Sequence, residues 1–119
     1  MKTLMMLLIL ALPITAQADC EAEAAAHFLA FSIEIDHHVW YLQVHSNWNT
    51  QLDELAEFTI LVEQSGWTWY MQPILDSLQW QADQYFADVV HPAHVAWIAK
   101  IAEKDAAKAA WDACLGGTP

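Results

Sequence analysis

The chain has 119 residues, a formal net charge of −11 and only four Lys or Arg against fifteen Asp or Glu. That length supports one ordinary core, and the scarcity of cations excludes nucleic acid as a partner and disfavours anionic membrane surfaces, because phosphate binding draws on Lys and Arg. Acidity of this degree would suit disorder, but seven Trp, four Phe and abundant Ile, Leu and Val do not.

Residues 1–18 have the pattern of a cleaved secretory signal peptide: Lys2 near the start, nine apolar residues from Leu4 to Leu12, and Ala16-Gln17-Ala18 as a small-x-small cleavage site. The apolar run is too short to span a bilayer, which takes about 18 residues or more. The expected product is a soluble, exported protein, residues 19–119, in a Gram-negative periplasm or secreted, with no membrane insertion after cleavage. Without Lys2 the mature chain keeps three lysines against fifteen carboxylates, a net charge of −12. Asp19 to Ala99 carries twelve carboxylates and no Lys or Arg, so this surface should attract cations, whether metal ions or basic proteins. If all six histidines were protonated between about pH 7 and 5, half of that charge would be lost.

Few glycines and prolines remain, and helical periodicity dominates, so the fold class is all-α. Breakers at Ser46-Asn47-Trp48-Asn49, Ser65-Gly66 and His91-Pro92 predict four helices, at about Glu21–His45, Thr50–Gln64, Gln72–Val90 and Pro92–Leu115. In the first, Phe28, Phe31, Ile35, Val39 and Leu42 form the expected core face. In the third, Leu75, Leu78, Ala82, Tyr85, Phe86 and Val89 recur at three- and four-residue steps. Gly66 suits a left-handed stop. Pro92 suits a first helical turn, with His91 forced out of the helical region before it, and Gly116-Gly117 should end the last helix. Trp67 to Met71 reads as an ordered connection, because Pro73 would sit awkwardly in a helix begun at Thr68.

Cys20 and Cys114 permit one pairing, and an exported chain should be oxidised. Joining the two ends of the helical region requires an even number of antiparallel helices, which gives an up-and-down four-helix bundle closed by Cys20–Cys114.

Chemistry concentrates in histidine. At about 100° per residue, His27, Glu34, His38 and His45 form one polar stripe on the first helix, bordering the apolar face. Glu34 with His38 is the strongest local pair for a Zn or Cu ion, Glu34 with His37 has the Glu-x-x-His spacing, and His91 with His94 is a second pair. His45, His91 and His94 could gather where the first and fourth helices meet. The same residues also serve as surface or hydrogen-bonded boundary histidines. No C-x-x-C-H is present, so covalent haem is absent, and a b-type haem on two histidines, or with Met71, is not expected. No G-x-S-x-G, H-E-x-x-H, phosphate-binding glycine loop or free cysteine points to an enzyme.

Trp40, Trp97 and Trp111 fall away from the apolar stripes and are the expected partner-binding aromatics. Lys100, Lys104 and Lys108 form a stripe of their own. The first reading is a non-enzymatic binding protein whose acidic, Trp-bearing surface engages a basic protein, as inhibitors and immunity proteins do. A homodimer that buries a second helix face accounts for the tryptophans equally well. The alternative function is a periplasmic metal-binding or metal-buffering bundle on Glu34, His38, His45, His91 and His94.

Overall fold

The computed structural model describes residues 20–117, and the signal-peptide reading of residues 1–18 lies outside them. Among the described residues the protein is helical throughout, with no strand. Helix α1 is Glu21–Ser65, α2 is Thr68–Tyr85, a π-helical turn spans Phe86–Val90, and α3 is His91–Gly117. Cys20 and Cys114 are paired, their Cα atoms 5.9 Å apart.

Two of the expected breaks are absent. The Ser46–Asn49 segment stays inside α1, with two side-chain contacts made one helical turn back along the chain. Asn49 Nδ2 lies 3.2 Å from His45 Nδ1, and Thr50 Oγ1 donates to the Ser46 carbonyl. Ser and Asn cost a helix only about 0.5 kcal/mol each, and Trp48 offsets that by packing its ring 4.8 Å from Phe86. The first two expected helices are therefore one.

His91-Pro92 does not end a helix either. His91 is in the right-handed helical region, φ −62° and ψ −47°, and its N–H donates to the Phe86 carbonyl five residues back. The reason lies in the phase of the buried residues. Along α2 the inward positions are Met71, Leu75, Leu78, Ala82 and Tyr85, alternating four- and three-residue steps. The next steps should reach positions 89 and 92, yet the fully buried residues are Val90 and Ala93. A π turn absorbs one extra residue. Helix α2 does begin at Thr68 and includes Pro73. The only donor lost is the one that would serve the Trp69 carbonyl, at a residue 82% exposed.

Gly66 is the stop that the sequence announces. Its φ of +76° is left-handed, its N–H donates to the Glu63 carbonyl, and Ser65 Oγ ties Val62 to Trp67 across the turn.

The chain divides into two compact units. Unit 1 consists of residues 20–37 and 97–117, and unit 2 of residues 38–96. In unit 1, residue numbers rise on one segment as they fall on the other: Cys20 meets Cys114, His27 meets Trp111, Phe31 meets Lys104 and Glu34 meets Trp97. The segments are antiparallel, and their seams keep a seven-residue period. Cys20, Ala24, His27 and Glu34 face Trp97, Lys100, Lys104, Ala107, Trp111 and Cys114. In unit 2 the seam of α1 is Val44, Trp48, Gln51, Leu55, Phe58 and Val62, set against the α2 positions above. Val44, Val90 and Ala93 form its buried cluster, with Tyr41, Trp48, Tyr85 and Val89 packed around them.

Candidate functional site

The face of α1 expected to form the core points outward. Phe31, Ile35, Val39 and Leu42 are all exposed, whereas His27 and Glu34, from the polar stripe, are each only 8% exposed. Both stripes repeat every seven residues, so either could have met the neighbouring helix. The one chosen in unit 1 is held by a polar contact: Trp97 Nε1 donates to Glu34 Oε1 at 3.0 Å. His27 packs against Phe28, Phe31 and Trp111, with ring centroids 5.5 to 6.0 Å apart, and its buried Nδ1 makes no hydrogen bond among the described residues.

The five proposed metal residues are therefore distributed. Glu34 belongs to unit 1 and is engaged by Trp97. The four histidines belong to unit 2. There His45 and His94 each pack near Tyr41, ring centroids 5.5 and 5.1 Å away, while the His91 ring lies 6.2 Å from that of Phe86. Among the described residues no group of three or more His, Cys, Asp or Glu side chains is placed to hold a metal ion.

Of the three tryptophans singled out in sequence, Trp40 is exposed, whereas Trp97 and Trp111 are half-buried in the seam of unit 1. The most exposed tryptophans are others: Trp69 at 82%, Trp80 at 62% and Trp67 at 60%. The sequence did carry a signal for them. Trp80 falls outside the Leu75, Leu78 and Ala82 stripe, and Trp67 and Trp69 come directly after the Gly66 turn that ends α1.

Compared with known protein families, curated proteins and solved structures, the chain matches none.

The electrostatics of the units differ. All three lysines of residues 20–117 are in unit 1, where Lys100 pairs with Glu103 and Lys108 with Asp112, and Lys104 lies over the Phe31 ring. Unit 2 has seven carboxylates, Asp53, Glu54, Glu57, Glu63, Asp76, Asp83 and Asp88, all exposed, and no Lys or Arg. An exposed array with no internal counter-charge gives a sustained negative potential that accelerates encounter with a cationic body. Trp67, Trp69, Tyr70 and Trp80 provide large, stiff apolar groups beside it.

Among the described residues no helix is long and apolar enough to cross a membrane.

Proposed function

We propose that this is a non-enzymatic, exported binding protein of the periplasm or secretome whose unit 2 engages a basic protein. The observation that carries this reading is the conjunction in one unit of seven exposed carboxylates, no fixed cation and three tryptophans more than half exposed. Carboxylates steer the approach, and aromatic anchors supply short-range affinity. The test is recovery of partners from native envelope extract at low and high salt, followed by reconstitution with the purified partner. A basic partner held at low salt should bind at least about tenfold more weakly to a Trp69→Ser/Trp80→Ser variant. Recovery of only acidic proteins, or equal binding by the variant, would defeat the reading.

A second reading, self-association through unit 1, rests on a separate observation. Phe28 and Ile35 each follow a seam residue by one position, and so do Ile98 and Ile101. In an antiparallel pair these positions fall on one side, and they supply its apolar part, bordered by Asp105, Lys108 and Asp112, which also follow seam positions. Two copies joined across it would place four helical segments in cross-section, and the four-helix bundle expected of one chain would be built by two. Sedimentation should then report a dimer that Ile35→Ser/Ile98→Ser converts to monomer. A monomer at every concentration removes this reading.

A further inference from the structure

Unit 2 has two dissimilar sides. Residues that follow a seam position on α2 include Asp76 and Asp83, whose carboxylates accept hydrogen bonds from Gln72 and Gln79. Residues that precede a seam position include Glu54, Leu61 and Gln81, and they edge the opposite side. That side is hollow.

A cleft of about 410 Å³ lies between the helices there, floored by Leu55, Phe58, Leu78 and Tyr85, with Gln51 and Glu54 on its wall. A second cleft of about 290 Å³ shares Phe58 and continues past Leu61 and Met71 to Trp67. The second is shallow, and taken together through Phe58 the two trace a trough along α1 from Gln51 to Ser65, a rise of about 21 Å, or four helical turns. Its far end is open, since Leu61 and Trp67 are both more than half exposed.

We propose that this trough seats an amphipathic, cationic helix of about fourteen residues, four turns long, which the partner presents apolar side down. This rests on the basic-partner reading and names the element that partner would contribute. Two helices lying side by side offer a groove into which a third packs its ridges. They offer no free strand edge for an extended peptide. The apolar floor sets the spacing of the anchors, at steps of three and four residues. The charge of the occupant follows from its surroundings: Glu54 stands on the wall, Asp53 and Glu57 are exposed nearby, and no lysine or arginine of unit 2 competes for them. A second copy is the poorer occupant, because its own unit 2 would bring seven carboxylates against seven, and the lysines it could offer from unit 1 are already engaged with Glu103, Asp112 and the Phe31 ring.

The experiment uses the full mature chain and two labelled synthetic peptides of identical Leu/Lys composition, one with leucines on a single helical face and one shuffled. Fluorescence anisotropy should show the amphipathic peptide binding at least about tenfold more tightly than the shuffled one, with affinity falling as salt rises. Leu61→Ser/Trp67→Ser, at positions too exposed to endanger folding, should abolish that preference. Equal, salt-sensitive binding of both peptides, indifferent to the double variant, would overturn the trough and leave the acidic-surface reading standing. Binding of neither would overturn both. A dimer in sedimentation that the same double variant dissolves would make a second copy the occupant and overturn the cationic helix.

Discussion

Units 1 and 2 are both antiparallel helical pairs with a seven-residue seam, but they are held together by different means. The seam of unit 1 contains a glutamate, a histidine, two lysines and two tryptophans, and a covalent bond closes its end. The seam of unit 2 is mostly apolar, has no covalent tie, and all its carboxylates are exposed. The difference teaches how a narrow two-helix contact can be stabilised. Where the buried side chains are polar, a cross-link and a directed hydrogen bond supply the stability. Where they are apolar, packing suffices and the surface is left available for charge.

The largest expected effect is on that cross-link. Replacing both cysteines by serine should cost about 4 to 5 kcal/mol in the chain-entropy account, given a separation of 94 residues. Urea unfolding measures the loss. Hydrogen exchange should show protection falling first in residues 20–37 and 97–117, and equal loss in both units would contradict the contrast drawn above.

Some of this was readable in the residues alone. The helical class, the Cys20–Cys114 pairing, the Gly66 stop and the inward stripe from Leu75 to Tyr85 each depend on a local signal: a period, a pairing with one solution, a residue that tolerates positive φ. Past Tyr85 the stripe fails, since Phe86 is exposed and Val90 rather than Val89 is fully buried. The length of α1 was not readable, because Ser and Asn are weak breakers and Trp48 gains a partner in Phe86, far along the chain. Nor was the orientation of α1. Its two stripes have the same period, and the rule that apolar residues face inward picks Phe31, Ile35 and Leu42, while the seam uses His27 and Glu34. The decisive contact, from Trp97 to Glu34, joins residues 63 apart in sequence. For the candidate site, the acidity of unit 2 was visible as charge, but its trough needed the tertiary pairing of α1 with α2.

Leu75→Ala probes the packed unit. Leu75 is buried in the unit 2 seam, and the change should cost about 2 kcal/mol, at the low end for such truncations because a two-helix contact can partly close the gap. Thermal unfolding monitored by circular dichroism reads the shift, with exchange protection lost between residues 38 and 96. In unit 1, Glu34→Ala removes the acceptor of the Trp97 indole and should cost about 1.5 kcal/mol, while Glu34→Gln, which keeps an acceptor oxygen, should cost clearly less. If the two variants lose the same amount in urea titration, that hydrogen bond does not hold unit 1. The smallest change is Gly66→Ala. Open space surrounds the added methyl group, so the expected cost of about 1 kcal/mol comes from backbone strain at positive φ alone. Restoring glycine's freedom with a D-alanine at that position, by semisynthesis, should recover the loss.

Within residues 20–117 lysine is confined to one nine-residue stretch, which has a consequence for proteolysis. A protease of trypsin specificity finds three cleavable bonds between residues 20 and 117, after Lys100, Lys104 and Lys108, and none in unit 2. Each lies between Cys20 and Cys114, so a nicked molecule does not come apart: the severed tail stays tethered to the amino-terminal end of α1 until a reductant arrives.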